Sequence, residues 1–148
     1  MLVIGCSVGL NIVQGARLVG ANPIIACDLH DKNLDYARTF GATHWINGSS
    51  GGVVKQIREL TGGLGVDAAF DAIGSEATAL QTVDAAAPGG RAVLVGIPAF
   101  STRAPINPSQ LVYGEKVISG TYYGSVRPNL DFPIPRRSGH GKESTSTG

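Results

Sequence analysis

Leu2-Val3-Ile4-Gly5-Cys6-Ser7-Val8-Gly9, together with the acid that ends Ile24-Ile25-Ala26-Cys27-Asp28, decides how this chain reads. Leu2 to Ile4 is a short apolar run of the kind that forms a buried strand. After the glycine turn, Val8, Ile12, Val13, Ala16 and Val19 recur at helical spacing, and Gly20 supplies a stop. A strand, a glycine turn, a helix and a second strand ending on a carboxylate therefore follow in order. Such a turn lets the backbone approach a pyrophosphate, whose charge is favoured by the free N–H groups and dipole at the start of the helix. Asp28 stands 19 residues after Gly9. An acid at about that spacing accepts hydrogen bonds from the adenosine ribose hydroxyls and repels a 2′-phosphate, which argues for NAD over NADP. His30 and Lys32 lie near enough to soften that preference.

The turn departs from the G-x-G-x-x-G spacing. Three residues separate Gly5 from Gly9, so the turn is one residue short and lacks the middle glycine, the one that normally admits the phosphates. A tight, ligand-free βα turn is the competing reading of these residues.

Outward from this unit the alternation continues. Asp31 is read as the cap of a helix running to Phe40 and closed by Gly41, and His44 to Ile46 as a short strand. Val53 to Leu60 reads as a helix, Val66 to Ala72 as a strand, and Glu76 to Ala87 as a helix capped by Ser75. Arg91 to Val95, after the Pro88-Gly89-Gly90 turn, and Val117 to Thr121 complete six strands. Apolar strands separated by helices predict a single α/β domain over 1–133, a doubly wound parallel six-stranded sheet covered on both faces. Residues 134–148, from Ile134 through Pro135-Arg136-Arg137 to a Ser/Thr/Gly run, are read as a disordered tail.

Composition narrows the function. The 148 residues carry 12 Lys and Arg against 11 Asp and Glu, with no basic stripe, which leaves no footprint for nucleic acid. The apolar stretch from Leu2 to Ala26 is interrupted by Asn11, Gln14, Arg17 and Asn22 and reads as neither signal peptide nor membrane span. Two cysteines, Cys6 and Cys27, are too few for a disulfide framework and read as small apolar fillers in a cytoplasmic protein. Glycine, 21 of 148 residues, is about twice its usual ~7% share, so the fold must need tight turns or close backbone approaches.

Other chemistry finds little support. His30, His44 and His140 with the two cysteines offer no metal-binding spacing, so no metal ligand is assigned. Asp67 and Asp71 fall on one face of a strand by its period of two. Asp67 is read as terminating the Gly62-Gly63-Leu64-Gly65 turn and Asp71 as held by hydrogen bonds at the strand's carboxyl end. Ser75, Ser119 and Tyr122 show no nucleophile and base arrangement, so no catalytic residue is assigned.

Taken together, Val3 to Gly9, Ala26-Cys27-Asp28, Phe40-Gly41-Ala42-Thr43-His44, Gly65-Val66-Asp67 leading to Asp71-Ala72-Ile73-Gly74, and Gly89 to Pro98 closely resemble one family. It is the zinc-type, medium-chain alcohol dehydrogenases, and the likeness is to their cofactor-binding Rossmann domain, from about Leu2 to Pro133. Gly120 to Ser125 and Asp131-Phe132-Pro133 resemble the aryl-alcohol and thiol-adduct formaldehyde dehydrogenase branch. The resemblance implies that Gly5, Ser7, Val8 and Gly9 hold the pyrophosphate, and that Asp28, with Leu29 and Asn33, holds the adenosine ribose. Ala72, Ile73 and Gly74 are then expected along the nicotinamide half. Val95, Gly96 and Ile97, with Thr121, Tyr122 and Tyr123, are expected around the nicotinamide and its carboxamide. It also implies a homodimer through the sixth-strand edge.

In that family zinc is held by an N-terminal domain that has no counterpart in this sequence. The chain is therefore expected to be a fragment that does not oxidise alcohols alone. Two alternatives remain: a cofactor-impaired remnant serving as an interaction module, and a methyltransferase-like domain for an adenosyl cofactor.

Overall fold

A computed structural model describes residues 1–131. The order along the chain is β1 (Leu2–Ile4), α1 (Gly9–Leu18), β2 (Ile25–Asp28), α2 (Asp31–Phe40), β3 (His44–Asn47), α3 (Val53–Leu60), β4 (Val66–Asp71), α4 (Glu76–Ala85), β5 (Ala86–Leu94), α5 (Pro108–Gly114), β6 (Val117–Gly120) and α6 (Pro128–Asp131). The strands form one parallel sheet ordered β3-β2-β1-β4-β5-β6. This is the doubly wound α/β architecture expected from the sequence. Winding proceeds from β1 to β3, then returns to β4 on the other side of β1, so the carboxyl ends of β1 and β4 flank the switch point where such sheets bind ligands.

The sheet is apolar on both faces because each face is covered. Val3 and Ala26 pack with Val13 and Ala16 of α1 and with Leu34 and Ala37 of α2. Leu2, Ile4, Ile25, Cys27 and Ala69 pack on the opposite face with Val53 and Ile57 of α3 and Ala85 of α4. β1, at the centre, is at most 3% exposed. Both cysteines are free and buried, as expected of apolar fillers.

Local chemistry sets most helix ends. Ser75 caps α4 through a reciprocal box, accepting from Thr78 N while the Thr78 hydroxyl accepts from Ser75 N. Gly41 ends α2 with a φ of 120°. The structure also corrects several expectations. The cap of α2 is His30, in extended backbone; Asp31 occupies the first turn, where its charge meets the helix dipole. Val8 and Val19 are exposed, so the buried face of α1 is Gly9, Val13 and Ala16.

The α4 helix stops at Ala85. Ala86 is already extended and pairs with Val66, so Pro88-Gly89-Gly90 is an excursion within β5, ahead of the Arg91 pairing with Ala68. The accompanying register shift between Val66 and Ala68 also undoes the strict period of two. Asp67 is therefore exposed, whereas Asp71 is buried. The α5 helix was not foreseen, although Asn107-Pro108 carried its signal: Asn107 accepts from Ser109 N, and Pro108 takes the first helical position. The 134–148 segment lies outside the described residues.

Candidate functional site at the switch point

The turn from β1 into α1 is shaped by its two glycines. Gly5 has a φ of +93°, which L side chains rarely adopt, and a Cβ there would lie 2.5 Å from Ile73 Cγ1. A Cβ on Gly9 would stand 2.7 Å from Val3 Cγ1, so this glycine lets α1 close on the sheet. The retained glycines are thus those that the fold itself needs. Leu10 N and Asn11 N are bonded to Ser7 O and Val8 O, whereas the hydrogen bonds of the described residues give Ser7, Val8 and Gly9 N–H no internal acceptor. Three backbone donors at the start of a ten-residue helix remain free to meet an anion.

Asp28 closes the other side of the turn. Its Oδ2 accepts from Cys6 N at 2.7 Å, and its Oδ1 accepts from His30 N and Asn33 Nδ2, both at 3.0 Å. His30 Nδ1 stands 3.4 Å from the same Oδ1. Burial pushes the Asp28 carboxyl up, but these donors outweigh it and hold the group below the usual carboxylate range. The neighbouring thiols go the other way: burial, reinforced by Asp28, pushes Cys6 up to about 12 and Cys27 up to about 11. Neither is a thiolate at neutral pH, and neither has the character of a nucleophile.

Across the switch point, Asp71 organises the second wall. Its Oδ1 accepts from Ile73 N at 2.9 Å and Gly74 N at 3.1 Å, and its backbone oxygen accepts from Val95 N and Gly96 N. This is the hydrogen-bonded role read for it from sequence. The loops after β4 and β5 are thereby tied together, with Gly74 and Gly96 in backbone contact.

Two cavities open along this crevice. The larger, about 720 Å³, is lined by Val8, Ala72, Ile73, Val95, Gly96, Ile97, Tyr122 and Tyr123, all named from the sequence, and by Asn11, Ile12 and Gly124, which were not. The smaller, about 240 Å³, lies beside Asp28 and Leu29 and is walled by Cys27, Gly48, Val53, Ser75, Thr78 and Gln81. Ile73 lines both. Gly5, Gly9 and Gly74 shape the walls without lining either cavity, as does Asn33 through its bond to Asp28. Ser7 is exposed on the turn. Thr121 lies outside both linings, its N–H bonded to Leu94 O and its hydroxyl 3.1 Å from Ser125 Oγ. Of the missed residues, Asn11, Ile12, Val53, Thr78 and Gln81 come from faces of α1, α3 and α4, Cys27 from β2, and Gly48 and Gly124 from turns, all brought to the crevice only by tertiary packing.

A parallel doubly wound sheet, with a glycine turn at the start of its first helix and a buried acid at the end of its second strand, defines a cofactor-binding domain of the dinucleotide type. Residues 7–133 match the zinc-binding dehydrogenase family model, and the chain belongs to that family. It corresponds to the cofactor-binding part of a medium-chain oxidoreductase, as the sequence resemblance implied.

It is 34% identical over 132 residues to S-(hydroxymethyl)glutathione dehydrogenase of Saccharomyces cerevisiae, covering 84% of this chain and 34% of that protein. The crystal structure of benzyl alcohol dehydrogenase from Acinetobacter calcoaceticus superposes with a TM-score of 0.83 at 35% identity, covering 88% of this chain and 36% of that one. A protein of Sinorhizobium meliloti 1021, described as a zinc-binding dehydrogenase bound to NADP, superposes with a TM-score of 0.77 at 29% identity, covering 81% and 36%. The chain thus spans about a third of the length of the curated relatives it matches. The match places the chain among the dehydrogenases rather than the adenosyl-cofactor methyltransferases.

Zinc fits poorly here. Among the described residues no group of three or more His, Cys, Asp or Glu side chains is placed to hold a metal ion. No helix of the described residues is long and apolar enough to cross a membrane.

Proposed function

We propose that this chain binds NAD(H) along the switch-point crevice and orients it for a dehydrogenase reaction whose substrate-activating residues lie outside the chain. The observation that carries the reading is the line formed by the 240 Å³ cavity beside Asp28, the free amides of Ser7, Val8 and Gly9, and the 720 Å³ apolar cavity beyond Ile73. Adenosine is assigned to the first, pyrophosphate to the second and nicotinamide to the third.

When bound, the nicotinamide supplies hydride chemistry, and this chain's residues bind and orient it. Asp28, held ionised, favours ribose hydroxyls and disfavours a 2′-phosphate, so NAD is preferred over NADP. Gly5, Ser7, Val8 and Gly9 form the phosphate turn, with Leu29 and Asn33 on the ribose side. Ala72, Ile73, Gly74, Val95, Gly96, Ile97, Thr121, Tyr122 and Tyr123 form the nicotinamide end. With no metal-ligand set among the described residues, this chain alone is proposed not to oxidise alcohols.

Titration of NADH, followed by its own fluorescence, tests the reading. Saturable binding of NADH with weaker binding of NADPH is expected, and no response from either at millimolar concentration would overturn it. The shortened turn favours one competing reading, in which the domain persists as a cofactor-impaired interaction module, and the same titration decides between the two.

The sixth strand supports a homodimer. Among the described residues β6 pairs with β5 on one side only, and Val117 of this edge strand is half-exposed. Sedimentation is expected to give twice the chain mass. The free, buried thiols suit a cytoplasmic protein.

A further inference from the structure

We infer that Asp28 is a positioning residue for the shortened turn: its carboxylate clamps the Cys6 amide and so sets the course of the backbone that presents the Ser7, Val8 and Gly9 N–H groups. The inference rests on the nucleotide reading above but assigns the acid a task that no ribose contact requires. An ionised carboxylate offers about four lone-pair sites. Cys6 N, at 2.7 Å, takes one on Oδ2, while His30 N and Asn33 Nδ2, at 3.0 Å, take both on Oδ1. One site on Oδ2 is left. The side chain is only 9% exposed, so it cannot swing towards a ligand without breaking these bonds.

Two of the three donors come from the start of α2, and the third comes from the glycine turn, 22 residues earlier in the chain. The carboxylate is therefore a bridge between the β1 and β2 carboxyl ends. A turn one residue short has less backbone with which to form its own internal bonds, and Gly5 N is already committed to Cys27 O at 2.8 Å. Cys6 N, the next amide, points at Asp28 and is withdrawn from any phosphate. The anion seat consequently begins one residue later, at Ser7. Asn33 acts through Asp28, fixing the carboxylate plane from the α2 side.

The clamp and a purely ribose-binding acid predict opposite signs for one measurement. Asp28→Asn removes a negative charge near the anion seat. If Asp28 serves only the ribose, inorganic pyrophosphate, which has no ribose, binds unchanged or more tightly to the variant. If Asp28 positions the turn, pyrophosphate binds about three- to tenfold more weakly, the equivalent of about one hydrogen bond, despite the lost repulsion.

Backbone hydrogen exchange in the ligand-free protein supplies the second arm. Protection of Cys6 N–H is expected to collapse in Asp28→Ala, which leaves it no side-chain acceptor, while Gly5 N–H stays protected, and to fall partly in Asn33→Ala, which serves if Asp28→Ala does not fold. Unchanged Cys6 protection in these variants, or unweakened pyrophosphate binding to Asp28→Asn, would overturn the inference. Failure of wild-type protein to bind ADP or pyrophosphate would instead overturn the nucleotide reading, and the exchange arm still decides whether the clamp exists.

Discussion

Replacing Gly5 by Ala probes the join between the phosphate turn and the crevice. At a φ of +93° the new Cβ is strained, and it would lie 2.5 Å from Ile73 Cγ1, 3.3 Å from Ile73 Cδ1 and 3.4 Å from the Ala72 carbonyl carbon. Left-handed backbone costs a non-glycine residue about 1–2 kcal/mol, and overpacking of this kind costs about 1–3 kcal/mol more. Gly5→Ala is thus expected to remove about 2–5 kcal/mol from a domain whose total stability is on the order of 5–15 kcal/mol.

The two components separate in a double-mutant cycle. Ile73→Ala deletes both offending atoms, so in that background Gly5→Ala retains only the backbone strain, about 1–2 kcal/mol. A coupling of about 1–3 kcal/mol is expected, read from urea unfolding midpoints at constant slope. Costs that add within about 0.5 kcal/mol would refute the reasoning, because Gly5 would then owe nothing to Ile73. Because Ile73 lines both cavities, Gly5→Ala is also expected to weaken dinucleotide binding.

The remaining predictions are independent of that contact. Ser75→Ala dissolves the α4 box and is expected to cost about 1 kcal/mol, seen as a lowered thermal midpoint; an unchanged midpoint would remove the cap from the account. Asp28, whose carboxyl is held below its ordinary value, adds stability at neutral pH. That stability is complete above the unfolded carboxyl pKa of about 3.9 and is lost as pH falls through the lower folded value. The advantage of wild type over Asp28→Asn in urea should therefore shrink towards acid, and a constant gap would contradict it. Cys6 and Cys27, pushed up to about 12 and 11, should resist a thiol reagent at pH 8 in the folded protein and react once unfolded. Inserting a glycine between Cys6 and Ser7 should tighten NAD binding; weaker binding would show that the turn is suited to its present length.

The fold was legible because hydrophobic run length and glycine punctuation are local signals: Leu2–Ile4 and the run from Ile25 to Cys27 are apolar on both faces since helices cover both. Boundaries failed where strand pairing overrode local pattern. Ala86 continues a helical run in sequence, yet it pairs with Val66, and the register shift there turns Asp67 outward. The glycines were legible as a group and less so in purpose. Gly74 and Gly96 face each other's backbone, a contact between loops more than 20 residues apart in the chain that no spacing reveals. Asp28 was legible as an acid at the right distance, but its bond to Cys6 N depends on how a three-residue gap between glycines folds back on β2.

The most direct test of the account follows the backbone amides during titration with NAD. Saturable shifts of Ser7, Val8 and Gly9, accompanied by Leu29 at one end of the crevice and Ile97 at the other, are the predicted result. Saturation with shifts confined to another surface, or none in the folded protein at millimolar NAD, would contradict it.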